Sequence, residues 1–449
     1  MSTDTVRAGA ADEAAERRRE QRGWYFYDWA CSVYSTSVLT VFLGPYLTAV
    51  AKHAADADGF VHPLGVPVRA GSFFAYAVSA SVILSIVVMP MAGAAADRTG
   101  RKKPLLAAAA YLGAAATTGM FFLDGDRYLL GGLLLIVANA SLAVSMVLYN
   151  SYLPQIAPPE ERDAVSSRGW AFGYAAGSVV LVANLVLFTA HDSFGVSEST
   201  AVRICLASAG VWWGAFTLIP LKRLRDRHAP SAGRASAHGW RQLAATVRDM
   251  RRQPLTLSFL LAYLIYNDGI QTVISQASVY GSEELGLSQS TLITAVLLVQ
   301  VLAVGGALGM GRLARTYGAK RTILGSLVAW TLTLAAGYFL PAGAPVWFFV
   351  LASGIGLVLG GSQALSRSLF SHLVPSGKEA EYFSAYEMSD RGMSWLGPLL
   401  FGLTYQLTGS YRDAIISLVA FFALGFVLLA RVPVRQAIRD AGNPVPEMI

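Results

Sequence analysis

Six ionisable side chains lie within strongly apolar stretches of this chain, where water is not available to stabilise their charge. They are Asp28, Asp268, Arg367, Glu387, Asp390 and Arg391. At membrane depth such a group costs at least ~2.5–3.5 kcal/mol on insertion scales, so it indicates an ion pair, a proton relay or a solute site. Acids outnumber arginines in this set. Unless Asp28 is interfacial, one or two acids must be protonated, or neutralised by a cation or a substrate ammonium group, so proton coupling is our hypothesis.

Asp268, Asp390 and Arg391 all lie near the middle of the predicted membrane core. Counted at ~1.5 Å per residue from the start of its apolar stretch, Asp268 is ~20 Å into a core ~30 Å thick, and Asp390 and Arg391 are roughly 12–14 Å into theirs. The adjoining Asn267 and Gly269 are poor residues for a helix centre, which predicts a local break there. Unwound backbone in a membrane lines a cavity, where transporters hold substrates. The alternative for Asp268 is a structural hydrogen bond to a neighbouring helix.

Glu387 and Arg391 are four residues apart, so they can pair on one helical face, with Asp390 turned away from them. Arg367 could reach the same acids. Two interpretations stay open: a latch that closes the cytoplasmic side, or handling of protons or of a substrate carboxylate. Polar-tipped aromatic residues could line a cavity, pack between helices or anchor the chain at the membrane interface; they are Trp29, Tyr34, Tyr149, Tyr266 and Trp395.

The elements that must position these residues are long apolar segments. Apolar residues make up 54% of the chain and charged residues 14%, with a mean hydropathy of +0.48, which is typical of a protein that faces lipid. We predict an all-α membrane protein with twelve transmembrane helices. The predicted spans are 24–50, 71–96, 104–123, 128–152, 167–190, 201–220, 255–280, 290–314, 321–340, 345–372, 382–407 and 412–431.

Lys and Arg residues crowd one side of the predicted membrane. Of 35 in total, 28 fall in loops on one side and two lie within spans. The five on the other side are Lys52, Arg69, Arg127, Arg203 and Arg412. The crowded side holds both termini and is predicted to be cytoplasmic, in the inner (plasma) membrane. Residues 1–22 are predicted to be a disordered cytoplasmic tail rather than a signal peptide. Cys31 and Cys205 lie within spans and imply no disulfide.

A polar stretch from Lys222 to Gln253, with nine Lys and Arg residues, separates two sets of six spans. Within it, apolar residues recur at helical spacing opposite arginines, as in a helix on an anionic membrane surface or a soluble linker helix. Those apolar residues are Trp240, Leu243, Val247 and Met250. The predicted segments are an N-terminal bundle at 23–220, a linker at 221–254, a C-terminal bundle at 255–431 and a cytoplasmic tail at 432–449.

The two halves carry copies of one loop motif. G-A-A-A-D-R-T-G-R-K-K begins at Gly93, between the second and third spans, and G-R-L-A-R-T-Y-G-A-K-R begins at Gly311, between the eighth and ninth. Both glycines and the terminal basic pair match without gaps, which indicates an internal repeat. In the first copy Gly100 can turn the chain, and Asp97 can pair with a helix end or an arginine. The alternative is that the motif only fixes topology.

This motif and the six-plus-six repeat resemble the major facilitator superfamily of secondary transporters. A closer resemblance, to the branch containing the autophagy-related vacuolar amino-acid effluxers and their bacterial relatives, covers nearly the whole chain. It rests on YDWACS from Tyr27, YNSYLP from Tyr149, RGWAFGY from Arg168, YNDGIQT from Tyr266, QALSRS from Gln363 and SWLGPL from Ser394. The resemblance implies the facilitator fold, alternating access and amino-acid efflux. It also implies a conformational gate at Gly93, Asp97, Arg98, Gly100 and Arg101.

The buried charges and these stretches together give one set of candidate residues. The candidates for substrate binding and coupling are Asp28, Trp29, Tyr34, Tyr149, Asn150, Asn267, Asp268, Gln271, Gln363, Arg367, Glu387, Asp390, Arg391 and Trp395. The chain departs from the family's pattern at Arg315, where the second loop copy is expected to have an acid, and at Cys31, where Asn is usual. The first departure bears on the second-half gate.

Other functional classes lack their signatures. The six histidines lie in loops or at a span edge, and the sequence has no H-E-x-x-H motif, Cys/His cluster or G-x-x-x-x-G-K-[ST] loop. We therefore predict no enzyme activity, metal or other cofactor, and no nucleic-acid partner. The expected protein is a monomeric secondary transporter in the lipid bilayer that moves a small polar solute, coupled to protons. The alternatives are a lipid or drug exporter of the same fold, or a transport-dead membrane sensor.

Overall fold

A computed structural model describes residues 3–70, 73–226, 248, 250–391, 396–408 and 410–449 of the chain. Its α-helices are α1 (Thr3–Val33), α2 (Leu43–His53), α3 (Phe73–Thr99), α4 (Lys102–Gly119), α5 (Tyr128–Asn150), α6 (Leu153–Ile156), α7 (Arg162–Thr189), α8 (Glu198–Arg223), α9 (Pro254–Val279), α10 (Gln289–Tyr317), α11 (Ala319–Tyr338), α12 (Pro345–His372), α13 (Glu379–Arg391), α14 (Leu396–Thr408), α15 (Tyr411–Ser417), α16 (Val419–Arg431) and α17 (Val434–Asp440). Helices thus account for nearly all of the described chain.

Ten helical segments in the described part of the chain are long and apolar enough to cross a membrane. They coincide with ten of the twelve predicted spans, so the prediction of an all-α membrane protein is confirmed. At the predicted ninth span, the structure has the 20-residue helix α11. At the predicted eleventh, α13 and α14 lie on either side of residues 392–395, which are outside the described residues. The count of twelve stays a prediction.

The N-terminal segment differs from its prediction. Helix α1 begins at Thr3, so the expected disordered tail at residues 1–22 is wrong from residue 3 onward. The physical reason is its content of Ala, Glu and Arg, which are strong helix formers. At the other end, α17 is packed rather than free, because Val434, Ala437 and Ile438 are buried. The predicted linker helix falls outside the described residues, apart from residues 248 and 250.

The predicted first span contains a π-helix, and the loop after it contains a short β-ribbon. A π-helix at Tyr34–Phe42 joins α1 to α2 without a break, and such wide turns often occur at functional positions. After α2, strands β1 (Phe60–Val61) and β2 (Val68–Arg69) pair antiparallel, with Phe60 opposite Arg69. This small ribbon was not predicted.

The contacts divide the chain into two compact units. The first holds residues 1–149 and 175–235, and the second holds residues 150–174 and 236–449. The division after residue 235 falls in the predicted linker. Residues 150–174 differ from the predicted bundles, because they group with the second unit rather than the first.

Small residues allow close helix packing inside each unit. In the first unit, a Cβ added to Gly210 of α8 would collide with the backbone of Thr118 on α4. In the second unit, a Cβ on Gly306 of α10 would collide with the carbonyl of Leu357 on α12, and Gly360 lies equally close to Ala303. Such contacts hold helices together in lipid, where the hydrophobic effect does not.

Candidate functional site

Asn267 and Asp268 lie in the middle of α9, which is continuous from Pro254 to Val279. The predicted break at this point is therefore wrong. Gly269 is enclosed by α16, since a Cβ there would lie 2.9 Å from the Cβ of Phe421. Tertiary packing thus stabilises the helix. The polar side chains of Asn267 and Asp268 bond to other segments instead of competing for their own backbone.

Asn267 joins α9 to the acid Asp390 on α13. The Asn267 Nδ2 donates to Asp390 Oδ1 at 2.6 Å, and the Tyr263 hydroxyl donates to the same oxygen at 3.1 Å. Tyr263 also stacks on Tyr386 of α13, with ring centroids 4.4 Å apart. Two candidates that the sequence singled out separately, Asn267 and Asp390, are thus brought together. Tyr263 was not predicted, although it lies one helical turn before Asn267.

The Asp268 carboxylate is buried and contacts the backbone of Gly397 in α14. Its Oδ2 accepts a hydrogen bond from the backbone N–H of Gly397 at 2.8 Å. Its Oδ1 is buried and has no hydrogen-bond partner in the described part of the chain. One carboxylate oxygen is thus held by a backbone N–H group, and the other remains available for a proton or a cation.

Arg367 of α12 is buried and is held by residues that precede and begin α7. Its Nε donates to Ser166 Oγ and its Nη2 to the Ser166 carbonyl, both at 2.9 Å. Its Nη1 donates to Asn150 Oδ1 at 3.3 Å, and its guanidinium lies 5.4 Å from the ring centroid of Trp170. The guanidinium is therefore fixed by oxygen acceptors and an aromatic face.

Asn150 connects Arg367 to the acid Glu387. The Asn150 Nδ2 donates to Glu387 Oε1 at 2.7 Å, while Asn150 Oδ1 accepts from Arg367. The predicted pairing of Glu387 with Arg391 stays a prediction, because the Arg391 side chain lies outside what the structure describes. The candidate Trp395 also lies outside the described residues. Ser166, which the sequence analysis missed, lies two residues before the RGWAFGY stretch. That neighbourhood was the one available signal.

Asp28 of α1 is buried within the first unit. The Tyr149 hydroxyl donates to Asp28 Oδ2 at 2.6 Å. Trp24 holds Tyr149 in place, because the two rings stack at 4.4 Å and the indole N–H donates to the Tyr149 carbonyl at 2.9 Å. Asp28 and Tyr149 are both sequence candidates, and the structure joins them within the first unit.

The other polar and aromatic candidates have varied surroundings. Trp29 lies 5.7 Å from the Trp212 ring and Tyr34 lies 5.7 Å from the Trp213 ring, measured between centroids, so both pack between helices. The Tyr174 hydroxyl donates to Gln363 Oε1 at 3.0 Å. Gln271 is half-buried, one turn beyond Asn267. Among the described residues, no group of His, Cys, Asp and Glu side chains is placed to hold a metal ion.

The first loop motif forms a buried ion pair. Lys102 Nζ lies 3.3 Å from Asp97 Oδ1, and both side chains are almost inaccessible. Gly100 has a φ of 65°, a left-handed conformation that suits glycine, and it turns the chain between α3 and α4. The Arg98 Nε donates to the Ala94 carbonyl at 3.0 Å. Gly93 is buried in α3 and Arg101 is exposed. The predicted partner of Asp97 was an arginine or a helix end, whereas the structure pairs Asp97 with Lys102.

Comparison with known proteins decides the family. Residues 16–442 match the model of the family described as "Vacuole effluxer Atg22 like". The chain belongs to this Atg22-like family. It is 29% identical over 419 residues to the "Uncharacterized MFS-type transporter YxiO" of Bacillus subtilis, covering 92% of this chain and 95% of that protein. It is 25% identical over 560 residues to "Autophagy-related protein 22-1" of Aspergillus niger, covering 96% of this chain and 91% of that protein.

Solved structures show that the Atg22-like chain has the major facilitator fold. The transporter FucP in its outward conformation matches with a TM-score of 0.67 at 14% identity, over 92% of this chain and 98% of that one. A bacterial homologue of the iron transporter ferroportin, in an outward-facing state, matches with a TM-score of 0.66 at 16% identity, over 93% and 98%. Together with the family match and the similarity to YxiO, this fold identifies the Atg22-like protein as a multi-pass membrane transporter of the major facilitator superfamily and not an enzyme.

Proposed function

We propose that this Atg22-like transporter exports small polar solutes, with amino acids as the substrate class, by proton-coupled alternating access. The proposal places it in the inner membrane with both termini cytoplasmic. Effluxer is the description of the matching family, which supports the direction of transport. The charge asymmetry of the loops supports the orientation.

The observation that carries the coupling proposal is the Asp268 carboxylate. It is buried at membrane depth, one oxygen receives a single backbone hydrogen bond, and the other has no partner in the described part of the chain. A bare carboxylate in such a place is costly unless a proton or a cation neutralises it. A transported proton and a substrate ammonium group both supply that neutralisation. Exchange of one for the other at Asp268 would couple opposite movements of proton and solute.

The other buried charges support a polar substrate. In the second unit, the buried guanidinium of Arg367 is connected to the Glu387 carboxylate through Asn150, which hydrogen-bonds to both side chains. Asp390 accepts hydrogen bonds from Asn267 and Tyr263. A purely apolar cargo would have no use for this series of hydrogen-bonded charges, since each one raises the cost of membrane insertion. An amino acid carries a carboxylate and an ammonium group that match both signs.

The experiment is transport in proteoliposomes with an imposed pH gradient, screened over radiolabelled amino acids. We expect gradient-driven movement of one or more amino acids in the wild type. We expect Asp268→Asn to lose the response to the gradient while retaining exchange without a gradient, because Asn keeps the size of the side chain but cannot titrate. The control is Asp192→Asn, whose side chain is 95% exposed.

Three results decide the proposal. Normal gradient-driven transport by Asp268→Asn would reject coupling at this residue. Movement of lipid analogues or hydrophobic dyes, without any amino acid, would favour the alternative exporter of the same fold. Absence of transport for every solute in folded, reconstituted protein would favour a membrane sensor.

A further inference from the structure

An open apolar groove of about 430 Å³ runs along the outer face of α8. Its walls include Phe121 from the turn after α4 and Ile204, Ser208, Val211, Trp212 and Phe216 from α8. The α8 residues recur every three or four positions, so they form one face of the helix. Val211 is 60% exposed. Because α8 is long and apolar enough to cross a membrane, we expect such an exposed apolar face to contact lipid.

The wall of the groove is fixed by hydrogen bonding and ring packing. The Trp212 indole N–H donates to the Trp29 carbonyl on α1 at 3.0 Å. The Trp212 ring also packs on Phe216 at 4.5 Å between centroids. A wall held in this way keeps its shape without a ligand, which lowers the entropy cost of binding.

A partly satisfied arginine lies at one end of the groove. The Arg203 guanidinium carbon is 5.7 Å from the Phe121 ring centroid. Its Nη1 lies 3.2 Å from Asp124 Oδ2, and its Nη2 donates to Thr200 Oγ1 at 3.1 Å. Its Nε is buried and has no partner within the described residues. This end of α4 is opposite the end that begins at Lys102, so the predicted topology places the arginine at the membrane surface opposite the loop motif.

The dimensions suit one lipid chain. From Ile204 to Phe216 the groove follows twelve helical steps, or ~18 Å at ~1.5 Å each, close to the ~15 Å that one leaflet contributes to a ~30 Å core. A helix ~10 Å across would occupy roughly 1,400 Å³ over that length, well above the volume of the groove. The geometry points to a phospholipid site in which an acyl chain lies along α8 and an anionic headgroup phosphate binds Arg203.

Asp124 pairs with Arg203, so its removal should have the opposite effect on lipid binding from removal of Arg203. Its side chain is 63% exposed and shares the Arg203 guanidinium, so it competes with an incoming phosphate. Removing the Asp124 charge should therefore strengthen binding of an anionic lipid, whereas removing the Arg203 charge should weaken it. A groove that only fills with bulk acyl chains would respond to neither change. This inference is independent of the proposed transport activity.

The test is native mass spectrometry of the purified full chain with equal amounts of dioleoyl phosphatidylglycerol and dioleoyl phosphatidylcholine. We expect the wild type to retain more of the anionic lipid. Arg203→Gln should lower the anionic-to-zwitterionic ratio about fivefold, the scale of one basic residue at an anionic surface, and Asp124→Asn should raise it. Ala207→Phe, which fills the groove, should reduce both lipids. The matched control is Val186→Phe on the exposed face of α7, which should change neither.

Several outcomes would overturn the site. An unchanged lipid ratio in both Arg203→Gln and Asp124→Asn would reject headgroup recognition. If one variant folds poorly, an unchanged ratio in the other is sufficient to reject it. Equal retention of water-soluble glycerol phosphate would show that the arginine binds a free anion rather than a lipid. A dimer that Ala207→Phe dissociates would assign the groove to a second copy of the chain.

Discussion

The two copies of the loop motif share a turn but differ in what their lysine binds. Gly100 and Gly318 both have a left-handed φ, at 65° and 88°. In the first copy Lys102 pairs with the Asp97 side chain at 3.3 Å. In the second, the equivalent Lys320 donates to the carbonyls of Ala430 and Val432, at 2.9 and 2.8 Å, at the end of α16.

The first lysine therefore binds a titratable side chain, whereas the second binds backbone carbonyls, which do not titrate. The first lysine contacts a side-chain carboxylate, which protonation, mutation or a competing cation can neutralise or remove. The second lysine caps the C-terminal end of a helix, where free carbonyls and the helix dipole attract a cation whatever the side chains are. Arg315, where an acid was expected, leaves no equivalent of Asp97 in the second copy. The first loop is therefore suited to switching and the second to anchoring.

The largest expected effect is that of Lys102→Met. The change would leave Asp97 buried without its lysine, and breaking a buried pair from one side typically costs ~3–5 kcal/mol. We expect a loss of this order in the free energy of unfolding, measured by denaturation in mixed detergent micelles.

The double variant Lys102→Met with Asp97→Asn tests whether the pair acts as a unit. It should recover part of the loss, because no buried charge is then left behind. If the double variant loses as much as the sum of the two single variants, Lys102 and Asp97 contribute independently and the distinction between the loops weakens.

A smaller effect is expected for Lys320→Met. It removes two hydrogen bonds to carbonyls and the favourable charge at a helix end, a loss of about 1–2 kcal/mol. The same denaturation measurement applies. No second substitution should rescue it, and Arg315→Ala added to it should act additively. A loss equal to that of Lys102→Met would contradict the difference between side-chain and backbone partners.

The spans could be predicted because a run of apolar residues is a local signal that the bilayer makes obligatory. The same local logic failed at α9. Asn267, Asp268 and Gly269 weaken a helix in isolation, but their neighbours in the fold are Asp390, Gly397 and Phe421, each distant in sequence. Residues 3–22 differ in the opposite way, since their polar composition predicts a tail whereas their Ala, Glu and Arg residues form a helix.

The sequence singled out the residue types of the candidate site, but it indicated only some of the contacts between them. Buried charges are rare in a membrane, so Asp268, Arg367 and Glu387 stood out by type alone. Asn150 was a candidate only through the YNSYLP stretch and Ser166 was not one, because both are ordinary polar residues until α12 brings Arg367 to them. Spacing along one helix could propose a pair within α13, but it could not find the bridge that Asn150 makes to another helix.

The smallest expected effect is that of Arg315→Ala on the balance of conformations. Arg315 is exposed, and its electrostatic partner Asp163 lies on another helix, so solvent screens most of the attraction. Spin labels at Thr99 and Thr316, in a background with Cys31 and Cys205 replaced, would report the distance distribution between the loops. Asp97→Asn should shift that distribution clearly, because it removes the charge that holds Lys102. Arg315→Ala should leave it nearly unchanged, and equal shifts in the two variants would show that the loops contribute equally to gating.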